Sequence, residues 1–137
     1  MEKNEIVIYG EDFSPIRSNE NKSKFKKIDM QCNKIIIIPK EIFEFKNLII
    51  LDLGDNKIKS IPKEIEELIN LEELDLNSNQ IETVPKEICL LFNLKILKLN
   101  NNKIKSISEE ISQLKNLEIL NLDCNFITII PKEIGQL

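Results

Sequence analysis

The amino-acid sequence predicts an α/β solenoid, in which stacked units each add one strand to a parallel sheet and one short helical segment to the opposite side. The first observation is a period of 23 residues, because the same apolar pattern restarts at Leu48, Leu71, Leu94 and Leu117. The second is an Asn at the ninth place of every period. Such self-similarity is typical of repeat proteins, whose units bury their apolar faces only against their neighbours.

The period divides most of the chain into five rows, at 25–47, 48–70, 71–93, 94–116 and 117–137. Places within a row are numbered from its first residue, so Leu48 and Leu71 are both at position 1. Apolar residues recur at positions 1, 4, 6, 11, 14, 18 and 21. Because strand side chains alternate between faces, positions 4 and 6 point into the core while positions 3, 5 and 7 point outward. Positions 3 to 7 are therefore the predicted strand of each row.

The Asn at position 9 stands where the predicted strand ends and the backbone turns. Its amide both donates and accepts hydrogen bonds, so it can satisfy main-chain groups of its own and adjacent rows that the turn would bury. We interpret this column as a structural ladder rather than a ligand site. Its members are Asn33, Asn56, Asn79, Asn102 and Asn125.

The second half of each row predicts a short helical segment. Proline fixes φ and tolerates the loss of an N–H at a helix start, and four rows carry it at position 15. Row four has Ser108 there, for which we expect a hydroxyl N-cap followed by the acids Glu109 and Glu110. The apolar residues at positions 18 and 21 face the core from this segment. The four prolines are Pro39, Pro62, Pro85 and Pro131.

Together these residues resemble the leucine-rich repeat pattern LxxLxLxxNxIxxIPxEIxxLxN over residues 25–137. The tail Ile61-Pro62-Lys63-Glu64-Ile65 and its copies are similar to the intracellular, Ras-group-like type. The resemblance implies a right-handed leucine-rich repeat solenoid with a concave parallel β-sheet and short convex helices. It also implies a protein partner on the concave sheet, with a small GTPase or a signalling enzyme as a natural candidate.

The two ends of the chain depart from the pattern. Residues 1–24 do not follow the period, and we expect them to form an N-terminal capping segment over the first row, with a flexible tail as the alternative. Within them, residues 5–9 are a short β-like run that Gly10 ends. The last row stops at Leu137 without a polar final helix, so we expect the chain to belong to a larger protein.

Composition disfavours several function classes. The net charge is −4, and the sequence has neither Trp nor a basic stripe with interleaved aromatic residues, so nucleic acid is not an expected partner. No run of 18 apolar residues occurs, so membrane insertion is not expected. The N-terminus lacks a secretory signal, and the three cysteines cannot all pair. Cys32 and Cys124 are four rows apart, which is too far for a disulfide, so we expect free thiols. Free thiols are typical of a reducing compartment, so we expect a cytoplasmic location.

Catalytic, cofactor and metal sites have no candidate in the sequence. Histidine is absent, and there is neither a Gly-rich phosphate loop nor a Cys-x-x-Cys pair. The nearest constellation is Asp29, Asp52 and Asp75, at position 5 of three adjacent rows. Aligned carboxylates repel one another. The column therefore has three interpretations, namely solvated acids, a basic protein partner, or calcium, which is least favoured because no loop brings six oxygens together.

The candidate partner-binding residues lie at the outward positions 3 and 5. Ile96 and Ile119 are in neighbouring rows beside Lys98 and Asn121, which makes an apolar pair rimmed by polar groups, as at an interface centre. Outward isoleucines also occur on strands through β-propensity alone. The full set is Ile50, Asp52, Asp75, Ile96, Lys98, Ile119 and Asn121.

A second apolar exception, Cys89, Leu90 and Phe92, lies on the outer side of row three. Phe92 could contact a partner, but we expect it to fold under its own helix.

From these features we expect a cytoplasmic protein–protein interaction module in signalling or scaffolding, without enzymatic activity. One alternative is an N-terminal targeting or regulatory domain of a larger signalling enzyme, such as a kinase or PPM-type phosphatase. A structural spacer is another, and the outward isoleucines argue against it.

Overall fold

The structure, a computed structural model, describes residues 4–10, 12–18 and 21–137. Its main element is a single six-stranded sheet in which the strands follow one another in chain order and neighbouring strands are parallel. Five strands belong to the five rows and one precedes them. The strands are β1 Glu5–Val7, β2 Lys27–Asp29, β3 Ile50–Asp52, β4 Glu73–Asp75, β5 Ile96–Lys98 and β6 Ile119–Asn121.

Equal row positions lie opposite one another across the sheet. Leu51 pairs with Leu74, and Leu74 pairs with Leu97, and all three are fully buried. The predicted α/β solenoid with its parallel sheet is therefore confirmed. The strands end at position 5 rather than 7, because the chain starts to turn and takes a positive φ at position 8. Main-chain bonding nevertheless continues past the strand, where Leu53 N–H donates to Asp75 C=O at 2.8 Å.

Each row returns through a 3-10 helix on the side opposite the sheet. In row two, Pro62 has an extended backbone with φ −72°, and its carbonyl accepts the N–H of Ile65 at 3.1 Å. The predicted helix start at position 15 is thus confirmed. The five helices are Lys40–Glu44, Lys63–Glu67, Lys86–Leu90, Glu109–Gln113 and Lys132–Gln136.

The prediction of a hydroxyl N-cap in row four is wrong. Ser108 has the same extended backbone as the prolines, with φ −70°, but its side chain makes no cap bond and its Oγ donates instead to the Glu110 carboxylate. The Ser108 carbonyl accepts the N–H of Ile111 at 3.2 Å. Because this main-chain bond already closes the turn, the hydroxyl is free to bond the carboxylate.

The asparagine ladder is confirmed, and Asn79 shows how it works. Its Nδ2 donates to the carbonyls of Leu53 and Leu76, at 3.0 and 3.2 Å, and its Oδ1 accepts the N–H of Ile58 at 2.9 Å. One buried amide therefore satisfies groups of its own row and of the preceding row.

A second ladder, which we did not predict, runs along position 23. In each case Nδ2 donates to the carbonyl at position 22 of the preceding segment, as Asn93 does to Ile69 at 2.8 Å. These bonds also connect neighbouring rows. Because they are exposed, water can replace them, and the loss of one should cost less stability than the loss of a buried bond at position 9. The donors are Asn47, Asn70, Asn93 and Asn116.

The segment 4–10 occupies the place of a further row. Glu5 lies opposite Lys27, which is one residue out of the 23-residue period, so the period does not include this strand. Gly10 has φ +69°, as position 8 of a row requires, and donates its N–H to Asn33 Oδ1. Asn33 Nδ2 donates to the Ile8 carbonyl at 2.8 Å, which extends the ladder to this segment.

The rest of the first 24 residues holds a short α-helix, α1 Ser14–Arg17, and a 3-10 helix, Lys22–Lys24. Ile16 of α1 is fully buried in the core, together with Ile8. Residues 1–3, 11 and 19–20 of the predicted capping segment lie outside the described residues. The division into a capping segment and a repeat domain at residue 25 stays a prediction.

The last row is covered on one side only. Its apolar residues Leu117 and Leu120 are partly buried, whereas Leu94 and Leu97 of row four are fully buried. Among the described residues, no helix has the length and apolar character needed to cross a membrane.

Asn79→Ala should lower the free energy of unfolding by about 3 kcal/mol, because it leaves buried main-chain groups of two rows unpaired. Asn125→Ala is the matched control. Asn125 makes equivalent bonds, to Leu99 and from Ile104, but is only partly buried, so water can replace them. Urea unfolding followed by circular dichroism measures both, and equal losses for the two variants would contradict the ladder explanation.

The three cysteines should be distinguishable by a thiol reagent. Cys32 and Cys124 are exposed, whereas Cys89 is buried. Burial, and to a lesser extent the carboxylates of Glu110 and Glu87, raises the pKa of the Cys89 thiol to about 11. At pH 8 we expect two thiols to react rapidly with Ellman's reagent and the third only after unfolding. Fewer than three thiols in the unfolded, unreduced chain would contradict the expectation of free cysteines.

Candidate functional site

The outward side chains of the six strands form one surface, the concave face. Because equal positions pair in register, these side chains stand in columns. Position 3 and its equivalent in β1 carry Glu5, Lys27, Ile50, Glu73, Ile96 and Ile119. Position 5 and its equivalent carry Val7, Asp29, Asp52, Asp75, Lys98 and Asn121.

The middle of the concave face is an ion-pair network centred on Lys98. Its Nζ donates to Asp75 Oδ2 at 3.0 Å and to Glu73 Oε1 at 3.1 Å. The bond to Asp75, and then that to Glu73, raises the pKa of Lys98. Asp75 is only 7% exposed, and its Oδ1 also accepts the N–H of Asn77 at 3.0 Å.

The interpretation of the aspartates as solvated acids is therefore wrong for Asp75. The carboxylate is buried, and it pairs with Lys98 of the next strand and with the N–H and the side-chain amide of Asn77. Asp75 has little free surface for a partner to contact.

Asp29 and Asp52 differ from Asp75 because neither makes an ion pair with a described residue. Asp52 stands in register between the other two carboxylates, and its Oδ1 accepts the N–H of Gly54 at 2.9 Å. Partial burial raises the pKa of Asp52, and repulsion from Asp75 and Asp29 adds to this, against the lowering by the Gly54 bond and by the charge of Lys98. Asp52 is thus held at a cost that a basic partner would relieve.

The apolar part of the concave face lies at the β5–β6 end. Ile96 is directly opposite Ile119, and Ile119 is 50% exposed while Ile96 is partly buried. Lys98 and Asn121 are directly opposite each other at position 5. Ile50 is also partly buried, but Glu73 separates it from the pair.

The structure thus places all seven predicted residues on one face. Asp52, Asp75 and Lys98 form one group at position 5 of three neighbouring strands, and Ile96, Ile119 and Asn121 form an adjoining group on β5 and β6. Ile50 lies apart from both groups. Three further residues of this face were not among the predicted ones: Glu73, which shares Lys98 with Asp75, and the exposed Val7 and Tyr9 of the first strand segment. The alternation of side chains was the available signal, since Ile6 and Ile8 are buried and alternate along the chain with the exposed Val7 and Tyr9. The roles of these residues in binding stay predictions.

Metal coordination has no geometric support in the part of the chain that the structure describes. No group of three or more Cys, Asp or Glu residues there could hold a metal ion. The calcium interpretation of the aspartate column is therefore not supported.

On the outer surface, the expectation that Phe92 folds under its own helix is wrong. Phe92 is 56% exposed, and only Cys89 of that apolar group is buried. The space beneath the helix is filled by Ile88 and Leu91, both fully buried, so position 22 turns outward.

Comparison with known proteins identifies the family. One family model, described as leucine rich repeat, matches residues 23–81, and another, described as leucine rich repeats (2 copies), matches residues 92–133. With the repeated rows and the parallel sheet, these matches show that the chain is a leucine-rich repeat protein. No curated protein sequence matches the chain.

Solved structures are similar to this chain over most of its length. A leucine-rich repeat protein of Leptospira interrogans is 44% identical with a TM-score of 0.83, over 84% of this chain and 29% of that one. The ectodomain of the membrane receptor kinase GASSHO1/SCHENGEN3 from Arabidopsis thaliana, in complex with CASPARIAN STRIP INTEGRITY FACTOR 2, is 32% identical with a TM-score of 0.75, over 84% of this chain and 14% of that one.

A third similar structure is the BIR3–SERK2 complex, also from Arabidopsis thaliana. It is 30% identical with a TM-score of 0.69, over 79% of this chain and 62% of that one. The chain spans less than a third of the length of the Leptospira protein.

Asp52→Asn should raise the free energy of unfolding at pH 7 by up to about 1 kcal/mol, because it removes a partly buried charge and its repulsion by Asp75 and Asp29, and keeps the acceptor for Gly54. Asn121 shows that Asn fits this column, since its Oδ1 accepts the N–H of Asp123 in the same way. A raised pKa in the folded state means that ionisation costs stability as the pH rises from the ordinary value of 3.8 through the folded value. The gain should therefore vanish below that window.

Urea unfolding of native chain and variant at several pH values measures this difference. Asp123→Asn, at an exposed carboxylate on the same face, is the control and should show a smaller change. If the Asp52→Asn variant is less stable than the native chain at pH 7, the charge of Asp52 does not destabilise the fold and the explanation is wrong.

Proposed function

We propose that this protein is an interaction module that binds a protein partner on its concave face. Leucine-rich repeats generally mediate protein–protein interactions, and two of the similar structures are complexes. The observation that carries the proposal is the pair of a partly buried Ile96 and an exposed Ile119, on a sheet face whose other outward positions are mostly charged or polar. An apolar centre with a polar rim is the usual make-up of a protein interface.

The charges beside the pair indicate what the partner offers. Asp52 is two strands from Ile96, which corresponds to about 10 Å at strand spacing. One partner segment can therefore place an apolar side chain on the isoleucines and a basic group near Asp52 and Asp29. Desolvated contacts of the first kind contribute most of the affinity, and the charges contribute orientation and association rate.

The finer features of the proposal rest on resemblance. The Ile-Pro-Lys-Glu-Ile tail at 61–65 is similar to the Ras-group-like type, which favours a small GTPase or signalling enzyme as partner and a cytoplasmic role in signalling or scaffolding. Proteins of this fold are typically non-enzymatic binding modules.

A second candidate function is that of a regulatory or targeting domain of a larger signalling enzyme, such as a kinase or PPM-type phosphatase. It is favoured by the similarity to the ectodomain of a receptor kinase, of which this chain spans 14%. In that case the concave face would recruit the partner or substrate of the attached enzyme.

The double variant Ile96→Lys with Ile119→Glu tests the concave face. Opposite charges are tolerated at this position, because Glu5 and Lys27 pair there at 2.7 Å. We expect a stability loss of about 1 kcal/mol or less and loss of the captured partner, since central apolar contacts commonly contribute about 2 kcal/mol to binding. Quantitative affinity capture from the source cell, alongside urea unfolding, measures both effects.

Ile37→Ser is the matched control, because it removes an exposed isoleucine away from the concave face and places there the residue found at Ser60 and Ser106 in other rows. If every protein captured by the native chain is also captured by the double variant, binding on the concave face is excluded.

A further inference from the structure

The outer surface carries an apolar groove that crosses the helices of rows two to four. Ile69, Leu90 and Phe92 line one part of it, and Leu90 continues into an adjoining part. All three side chains are exposed, Leu90 to 40%. This outer groove lies on the helical side of the solenoid and shares no residue with the concave face.

The apolar residues are exceptions to their columns. Position 22 is Lys46 in row one and Lys115 in row four, but Ile69 and Phe92 in the rows between. Position 20 is acidic or amide in the other rows, but Leu90 in row three. Neither position contributes to the core, since positions 18 and 21 fill it. Folding therefore does not require these apolar side chains, and contiguous exposed apolar residues mark interaction sites.

Three carboxylates surround the apolar floor. Glu66 lines both parts of the outer groove, and Glu87 and Glu110 line the second. None of the three makes an ion pair with a described residue, although Glu110 accepts the hydroxyl of Ser108. Lys86 also lines the second part, so the outer groove has a net negative charge.

We propose that the outer groove binds a short basic, amphipathic peptide segment of a protein partner, with an aromatic or large aliphatic side chain on Leu90 and Phe92 and a Lys or Arg beside the carboxylates. Charge complementarity carries the choice of occupant, because an apolar anchor next to unpaired acids selects a cation. The same charge disfavours an anionic lipid surface. A second copy of this chain would bring the same acids together, which also disfavours it.

The variant Phe92→Lys with Leu90→Gln removes two of the three apolar side chains of the floor. The new residues suit these positions, because Lys46, Lys115 and Gln113 occupy them in other rows. Displayed random peptides of about twelve residues are selected on the native chain and depleted on this variant. We expect enrichment of peptides that combine an aromatic or large aliphatic residue with Lys or Arg.

An enriched synthetic peptide is then titrated by fluorescence anisotropy. Its dissociation constant should rise at least about tenfold with the double variant, and clearly with Glu66→Gln plus Glu110→Gln, as expected for central contacts of an interface. It should be unchanged with Ile37→Ser and with the concave-face variant Ile96→Lys plus Ile119→Glu. If the peptide loses affinity for the concave-face variant but not for the outer-groove variants, the outer groove proposal is wrong and the proposed function still stands.

Two other outcomes overturn the proposal. One is the absence of any peptide enriched on the native chain over the double variant, or enrichment of acidic peptides. The other is dimerisation of the native chain in sedimentation equilibrium that Phe92→Lys plus Leu90→Gln abolishes, since a second copy would then be the occupant.

Discussion

The buried asparagine amide at position 9 is the interaction on which the rest of the molecule depends. Every row must turn sharply after a strand of three residues, and the turn buries main-chain groups that water cannot reach. One amide, such as that of Asn79, satisfies groups in two rows at once. Because each row turns at the same position and uses an asparagine amide there, the strands stay in register. The outward side chains therefore form the columns of the concave face.

The separation of core and surface positions leaves the outward residues free to vary. Large apolar residues fill the core at positions 4, 18 and 21 of rows one to four, whereas position 3 holds acid, base and isoleucine in turn. The fold therefore tolerates the unfavourable charge of Asp52 between two carboxylates. It also tolerates the exposure of Ile119 and Phe92. Side chains that weaken or do not assist folding are the ones that a binding surface explains.

The period and the alternation of side chains were sufficient to predict the sheet, the helices and the face on which the candidate site lies. They could not predict that Asp75 is buried and paired with Lys98, because both depend on the conformations of side chains around it, such as those of Lys98 and Asn77. The strand Glu5–Val7 was outside the period because its register is shifted by one residue. The orientation of Phe92 depends on Leu91 filling the core beside it, which spacing alone does not determine.

The asparagine ladder has a direction. Each amide serves the row before it, as Asn56 accepts the N–H of Ile35 and Asn33 accepts that of Gly10. Removing a row from the C-terminal end therefore leaves a main-chain N–H and a main-chain carbonyl of the remaining row without their asparagine partner, as at Ile58 and Leu53. Removing a row from the N-terminal end leaves unpaired, of these asparagine bonds, only side-chain groups, although main-chain bonds between the rows are lost in both cases. Amide hydrogen exchange should consequently not be symmetric along the solenoid: openings start at 117–137 and travel toward the first strand, one row at a time.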